Sequence, residues 1–225
     1  GKNPLGIALS NDKNHIFVTN WYDDKISVIE VKSKKIIKEI KVGKNPAGLL
    51  VHSESGDLIV CNRGNNNIMF IDGNKYNIKK TIDVEKSPFG VFFDNTERKL
   101  FVTNVQSNSI SIINYDKLVL IKNIKVGKWP YHVAFDELNN KVLISNQREN
   151  SITIINSNNY EVYKIIHEIC EYPEGIDIDN NNKIAIVACW FSDEVVIIDL
   201  LDYTIRKRIS ASGGPRGFGK FILKN

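Results

Sequence analysis

The chain is expected to be an all-β repeat protein built from four-stranded antiparallel units, and three observations lead there. All six prolines fall in one register, at positions 4, 46, 88, 130, 173 and 215, spaced 42, 42, 42, 43 and 42 residues apart. Each period holds short β-branched runs divided by polar turns. No segment carries a sustained helical period with caps.

Each period opens with a turn, Gly-Lys-Asn-Pro-Leu-Gly at residues 1–6 and Gly-Lys-Asn-Pro-Ala-Gly at 43–48. Proline presets φ for the turn, and glycine permits backbone angles or approaches that other residues resist. Strand A follows at 7–9, 49–51, 91–93, 133–135 and 176–178. A polar turn leads to strand B at 16–20, 58–62, 100–104, 142–146 and 185–189. Strand C lies at 26–29, 68–71, 110–113, 152–155 and 195–198. Strand D alternates apolar and basic residues, as in 35–42 and 204–209. Four such strands in about 40–45 residues make the blade of a β-propeller. One blade cannot bury both of its faces, so the core is expected between blades, with A innermost and D at the outer edge. Charge on an outer edge strand discourages sheet-to-sheet pairing, which gives the lysines and arginines of D a structural role.

The Phe-Val-Thr-Asn of 17–20 and 101–104, followed by Ile-Ser-Val-Ile and Ile-Ser-Ile-Ile at 26–29 and 110–113, resembles the YVTN-type β-propeller repeat family. The Val-Gly-Lys-x-Pro openings at 42–46 and 126–130 fit the same pattern. The resemblance covers essentially the whole chain. It implies a propeller of the YncE-like or surface-layer type, and such propellers serve as exported binding proteins, carry catalytic cofactors or act as lyases. It therefore favours an exported or cell-surface location. Lys, Asn and Ile abundance resembles bacterial AT-rich coding. The pattern is broken at His132, which replaces the second glycine of its turn, and at Cys189, which replaces the strand B asparagine.

A single domain is expected over 1–225, with repeats 1–42, 43–84, 85–126, 127–169 and 170–211. Residues 212–225 look like strand A of a further repeat. Five blades are favoured, and strands upstream would make six or more. Net charge is +4, from 30 basic and 26 acidic residues, a mild excess that argues against a nucleic-acid partner. No apolar stretch reaches the roughly 18–20 residues of a membrane span. Cys61, Cys170 and Cys189 do not make a disulfide framework or a zinc spacing. Cys61 takes a core position of strand B. Cys170 and Cys189 share one face of blade 5, where they read as two small replacements or, alternatively, as a redox pair or nucleophile.

Antiparallel connectivity places the D-to-A turns and the B-to-C loops on one face. Departures from the repeat on that face mark the candidate site. Trp21 and Tyr22 stand in the B–C loop of blade 1, in register with Trp190 in blade 5. In a five-blade ring these loops would be neighbours. The D–A turns add Trp129, Tyr131 and His132 in blade 4, Tyr172 and Glu174 in blade 5, and Arg216 in the terminal copy. Aromatic faces beside carboxylates suit a protein segment, a glycan or a small molecule. Asp177 stands where other blades carry Ala8, Leu50, Phe92 and Ala134, so it needs a partner, and His132 or Arg216 are candidates. If the chain is an enzyme, a lyase or hydrolase, then His132, Glu174 and Asp177 are the acid–base group. The four histidines occupy different phases of the repeat, which suggests no metal ring. No cofactor is implied. The leading expectation is a binding scaffold, followed by an enzyme around His132 and by a structural repeat of a surface protein.

Overall fold

A computed structural model describes residues 1–217 and 221–222. The described residues form five four-stranded antiparallel sheets, each with its strands in chain order. Blade 1 comprises β1 (Pro4–Leu9), β2 (His15–Asn20), β3 (Lys25–Glu30) and β4 (Ile36–Lys41). Blade 2 comprises β5 (Pro46–Val51), β6 (Leu58–Asn62), β7 (Asn67–Ile71) and β8 (Ile78–Asp83). Blade 3 comprises β9 (Pro88–Asp94), β10 (Lys99–Asn104), β11 (Ser109–Asn114) and β12 (Val119–Lys125). Blade 4 comprises β13 (Pro130–Asp136), β14 (Lys141–Asn146), β15 (Ser151–Asn156) and β16 (Val162–Ile166). Blade 5 comprises β17 (Pro173–Asp179), β18 (Ile184–Cys189), β19 (Glu194–Asp199) and β20 (Ile205–Ser210). Strand A of each blade begins at the proline itself, three residues before the apolar run that marks it in the sequence.

The chain divides into two compact units, residues 1–107 with 111–123, and residues 108–110 with 124–225. In the first, Phe17, Ile26 and Val28 of blade 1 pack against Leu58, Val60, Met69 and Ile71 of blade 2. In the second, Leu143, Ile152 and Ile154 of blade 4 pack against Ile176, Val187, Val196 and Ile198 of blade 5. Within each unit the core therefore lies between blades, at about 1.5–3 kcal/mol for each fully buried aliphatic side chain. Cys61 is part of this interior, and burial pushes its thiol up. The D strands are largely exposed, as an outer edge should be.

Three devices repeat. First, the pairing of A with B shifts register just after each proline, between Pro4 and Ile7 and between Pro173 and Ile176, for example. Such bulges re-aim the strand. At Gly6 and Gly48 a Cβ would collide with the carbonyl oxygens of Ala47 and Phe89 in the following blade, which explains the second glycine of the turn. Second, the Thr of the Val-Thr-Asn motif joins blades. Thr19 Oγ1 accepts from Gly6 N (2.7 Å) and donates to Ala47 O (2.9 Å). Ser145 does the same in the second unit, accepting from His132 N (3.1 Å) and donating to Glu174 O (2.6 Å). Third, the last residue of each B–C loop is an Asn or Asp at positive φ whose side chain accepts from the amide just before the next proline. Asp24 takes Asn45 N (2.9 Å), Asn66 takes Ser87 N (2.9 Å), Asn108 takes Trp129 N (3.0 Å) and Asn150 takes Tyr172 N (3.1 Å).

The terminal copy uses the third device too. Gly214, at φ +63°, donates to Asp193 (2.7 Å), so the Gly-Gly-Pro turn sits on blade 5 as a D–A turn does. The expected strand over 212–225 lies partly outside the described residues. Those described, 211–217 and 221–222, join none of the five sheets.

Candidate functional site

The D–A turns and B–C loops do share one face in each blade. The first amide of every B–C loop donates to the carbonyl of the residue before the proline: Trp21 to Asn3, Arg63 to Asn45, Val105 to Ser87, Gln147 to Trp129, and Trp190 to Tyr172. The accepting residue is left-handed in all five, with φ of +54°, +50°, +61°, +55° and +52°. Asn and Ser tolerate that region through their short polar side chains, but a bulky aromatic is strained there by about 1–2 kcal/mol. Blades 4 and 5 nevertheless carry Trp129 and Tyr172 at this position. Aromatics stand in the same region in three C–D turns as well, Tyr76, Tyr160 and Tyr203 at φ of +61°, +63° and +57°.

Blade 5 also alters the joint beneath the turn. In blade 2 the buried strand B asparagine supports the turn. Gly43 N donates to Asn62 Oδ1 (3.0 Å), and Asn62 Nδ2 donates to Asn67 (2.9 Å). A Cβ at Gly43 or Gly127 would stand 2.6 Å from the side-chain Cγ of Asn62 or Asn146, so blades 2 and 4 use glycine above the asparagine, while blade 3 carries Glu85 there. In blade 5 both partners are replaced at once, and Cys170 and Cys189 form a disulfide. This corrects the reading of the two cysteines as unrelated small replacements or as a nucleophile. They are one covalent joint.

That joint roots two loops bearing aromatic side chains. Tyr172 and Phe191 ring centroids lie 4.3 Å apart, Trp190 and Phe191 4.6 Å, and Tyr172 and Trp190 6.3 Å in an edge-on pair. Phe191 is 52% exposed. On the other flank of Trp190, Arg216 Cζ stands 4.2 Å from the ring. Arg216 reaches the buried Glu174 through Nε (2.6 Å to Oε2) and Nη2 (2.9 Å to Oε1), and Gln147 Nε2 donates to Oε1 at 2.7 Å. Burial raises the Glu174 carboxyl above the usual range, while Arg216 and Gln147 pull it back down. Burial works against the Arg216 charge, but Glu174 and the neighbouring Tyr131 keep the guanidinium firmly protonated.

Asp177 is held differently from expectation. Its Oδ1 accepts from Ile178 N (2.9 Å), and its Oδ2 accepts from Phe221 N and Ile222 N (2.8 Å each). Backbone amides are its partners, and Arg216 pairs with Glu174 instead. His132 is buried, with Nδ1 3.4 Å from the Ile176 carbonyl oxygen. Burial holds its imidazole below the usual value, opposed by that carbonyl and by Asp177. The three acid–base candidates thus lie in one region, each committed to bonds that tie blade 4, blade 5 and the tail.

Trp129 is capped by Arg148, whose Cζ is 3.6 Å from the ring centroid. In the first unit Trp21 lies against Phe89 (6.5 Å) and under Arg63 (5.3 Å), while Tyr22 is 68% exposed. Every tryptophan thus carries an arginine on its ring, a pairing that sequence register did not announce. Gln147, Ser145, Arg63 and Arg148 lie in loop or strand positions that look ordinary on their own and carry no sequence signal, whereas Arg216 is a candidate from the sequence. Among the described residues no group of three or more His, Cys, Asp or Glu side chains could hold a metal ion. No helix among them is long and apolar enough to cross a membrane.

Repeated four-stranded antiparallel blades, joined through a Pro-x-Gly turn and a Thr/Ser-Asn strand end, define a β-propeller. The family model described as "YNCE-like beta-propeller" matches residues 16–141, more than half of the chain, and the chain belongs to that family. Solved structures share the fold. Hydrazine synthase from Kuenenia stuttgartiensis is similar at 16% identity and a TM-score of 0.71, over 95% of this chain and 88% of that one. A catalytically inactive H270A virginiamycin B lyase from Staphylococcus aureus with quinupristin is similar at 18% identity and 0.78, over 93% and 70%. A functionally unknown protein from Desulfotomaculum acetoxidans is similar at 13% and 0.79, over 94% and 74%. None of the curated proteins matches the chain.

Proposed function

We propose that the chain is a binding scaffold that takes a protein segment, a glycan or a small molecule on the face of the Pro-x-Gly turns and B–C loops. The observation that carries this reading is the partly exposed Tyr172–Trp190–Phe191 cluster, set on a left-handed aromatic and rooted in a disulfide. Rigid aromatic anchors at low entropy cost are what recognition surfaces use. Trp129, Tyr131 and Arg216 extend the surface in the same unit, and Trp21 with Tyr22 offers a second aromatic element in the other. The lyase or hydrolase reading around His132 has less support. Glu174 is engaged by Arg216 and Gln147, and Asp177 by three amides, which leaves neither carboxylate poised as a base. The lyase and synthase names belong to neighbours under 20% identical, and fold likeness carries no chemistry.

The test is a peptide and glycan array probed with the wild-type chain and three variants. Binding should fall at least tenfold in Trp190→Ala, fall less in Trp21→Ala, and survive His132→Ala. Loss confined to His132→Ala would instead favour catalysis.

A further inference from the structure

Residues 213–217 cross blade 5 without joining its ladder, and carboxylates hold them. Gly214 N–H donates to Asp193 (2.7 Å), and the Arg216 guanidinium lies on Glu174 through two N–H groups at 2.6 and 2.9 Å. The amides of Phe221 and Ile222 follow on Asp177. The Gly217 carbonyl comes so close to Gly175 that a Cβ at 175 would collide, so the crossing needs glycine at that position. At Gly213, φ +92°, a Cβ would meet nothing within 4 Å. Within residues 213–217 the charged side-chain anchor is Arg216.

The place that Arg216 occupies has the parts of a guanidinium receptor. It offers a fully buried carboxylate for two parallel N–H donors, an amide from Gln147 that fixes that carboxylate, and an indole face 4.2 Å from Cζ. A buried carboxylate stripped of its cation is costly, so the site demands a positive charge. The corresponding residues of the other repeats are Leu5, Ala47, Phe89, Tyr131 and Glu174, so no other copy brings a cation. The Arg216 side chain is 39% exposed, which leaves it open to competition from solvent.

We infer that Glu174, Gln147 and Trp190 form an arginine-recognition site for an extended peptide, filled in the resting chain by Arg216. The segment Gly-Gly-Pro-Arg-Gly at 213–217 is the template for the ligand, and an incoming arginine-bearing peptide exchanges with it. This inference rests on the binding reading of the face.

The experiment titrates a fluorescent Gly-Gly-Pro-Arg-Gly peptide, and its lysine counterpart, into the full chain. Arg216→Lys keeps a cation over Glu174 but lacks the two-pronged contact. The arginine peptide should bind Arg216→Lys at least tenfold more tightly than wild type, and Trp190→Ala in that background should abolish it. The lysine peptide should not bind. No saturable binding to a normally melting Arg216→Lys chain, or equal binding of both peptides, overturns the inference. If that variant does not fold, tryptophan fluorescence of a Trp21→Phe, Trp129→Phe chain that keeps Trp190 and Arg216, titrated to millimolar arginine peptide, decides: a saturable change supports exchange, and no change overturns it. Array ligands that depend on Trp190 while the arginine peptide never binds would end this inference and leave the binding reading standing. Failure of both would end both.

Discussion

At the start of blade 2, Gly43 rests on Asn62 through a 3.0 Å hydrogen bond, and the same side chain reaches on to Asn67. At the same joint in blade 5, Cys170 and Cys189 share a covalent bond. Blade 2 follows its joint with Asn45, a residue at ease at positive φ, and with Ala47. Blade 5 follows with Tyr172 and Glu174, an aromatic in a strained region and a fully buried carboxylate. The stronger joint stands beneath the more demanding turn. A hydrogen-bonded joint contributes about 0.5–1.5 kcal/mol, and a disulfide closing a loop of comparable length about 3 kcal/mol. Blade 5 can therefore hold conformations that blade 2 has no need to hold.

The largest break in that comparison is Arg216→Ala. It leaves Glu174 buried without its cation, and destabilisation of about 3 kcal/mol is expected in chemical denaturation, the low end of the usual range because the guanidinium is partly exposed. Arg216→Ala with Glu174→Gln should recover most of it. Next comes the joint itself. Cys170→Ala with Cys189→Ala should cost about 3 kcal/mol, read as a reductant-insensitive drop in midpoint. Cys170→Gly with Cys189→Asn rebuilds the joint of blade 2 and should recover about 1 kcal/mol of that. If the rebuilt joint equals the disulfide, the comparison has no energetic content.

A smaller effect is a pH dependence. His132 is held below its ordinary value by burial, so the unfolded chain takes up a proton first. Its contribution is complete above about pH 6.5 and is lost as pH falls below that, by at most about 1.4 kcal/mol per unit. Burial also lowers His52, with the same sign, so the measurement is the difference between wild type and His132→Gln. Melting temperatures from pH 7.5 to 5 should fall more steeply in the wild type. The smallest effect is Trp129→Asn. Relief at φ +55° offsets loss of the Arg148 stacking contact, and stability should change by under about 1 kcal/mol while ligand binding weakens.

What repeats was legible in the sequence. The proline opens every blade, the second glycine recurs in four of the five and a Thr/Ser-Asn strand end in three, each answering a repeated packing demand, so the strands, their order and the shared face could be read directly. What occurs once was less legible. Gln147 is an ordinary loop residue until Glu174 is seen against it, and Asp177 reads as a misplaced carboxylate without its amide donors, because two of the three come from Phe221 and Ile222, over forty residues away. The disulfide did leave a signal. Cys170 and Cys189 stand at the positions of Gly43 and Asn62, which touch in blade 2, but that pairing shows only once Gly43 is seen resting on Asn62.

The most direct test of the central claim, that blade 5 carries the recognition surface, is a hydrogen-exchange footprint. The wild-type chain would be mapped with and without its best array ligand. Protection concentrated over residues 171–174 and 189–193 is the expected result. Protection confined to the matching turns and loops of blades 2 and 3, with blade 5 unchanged, would contradict it.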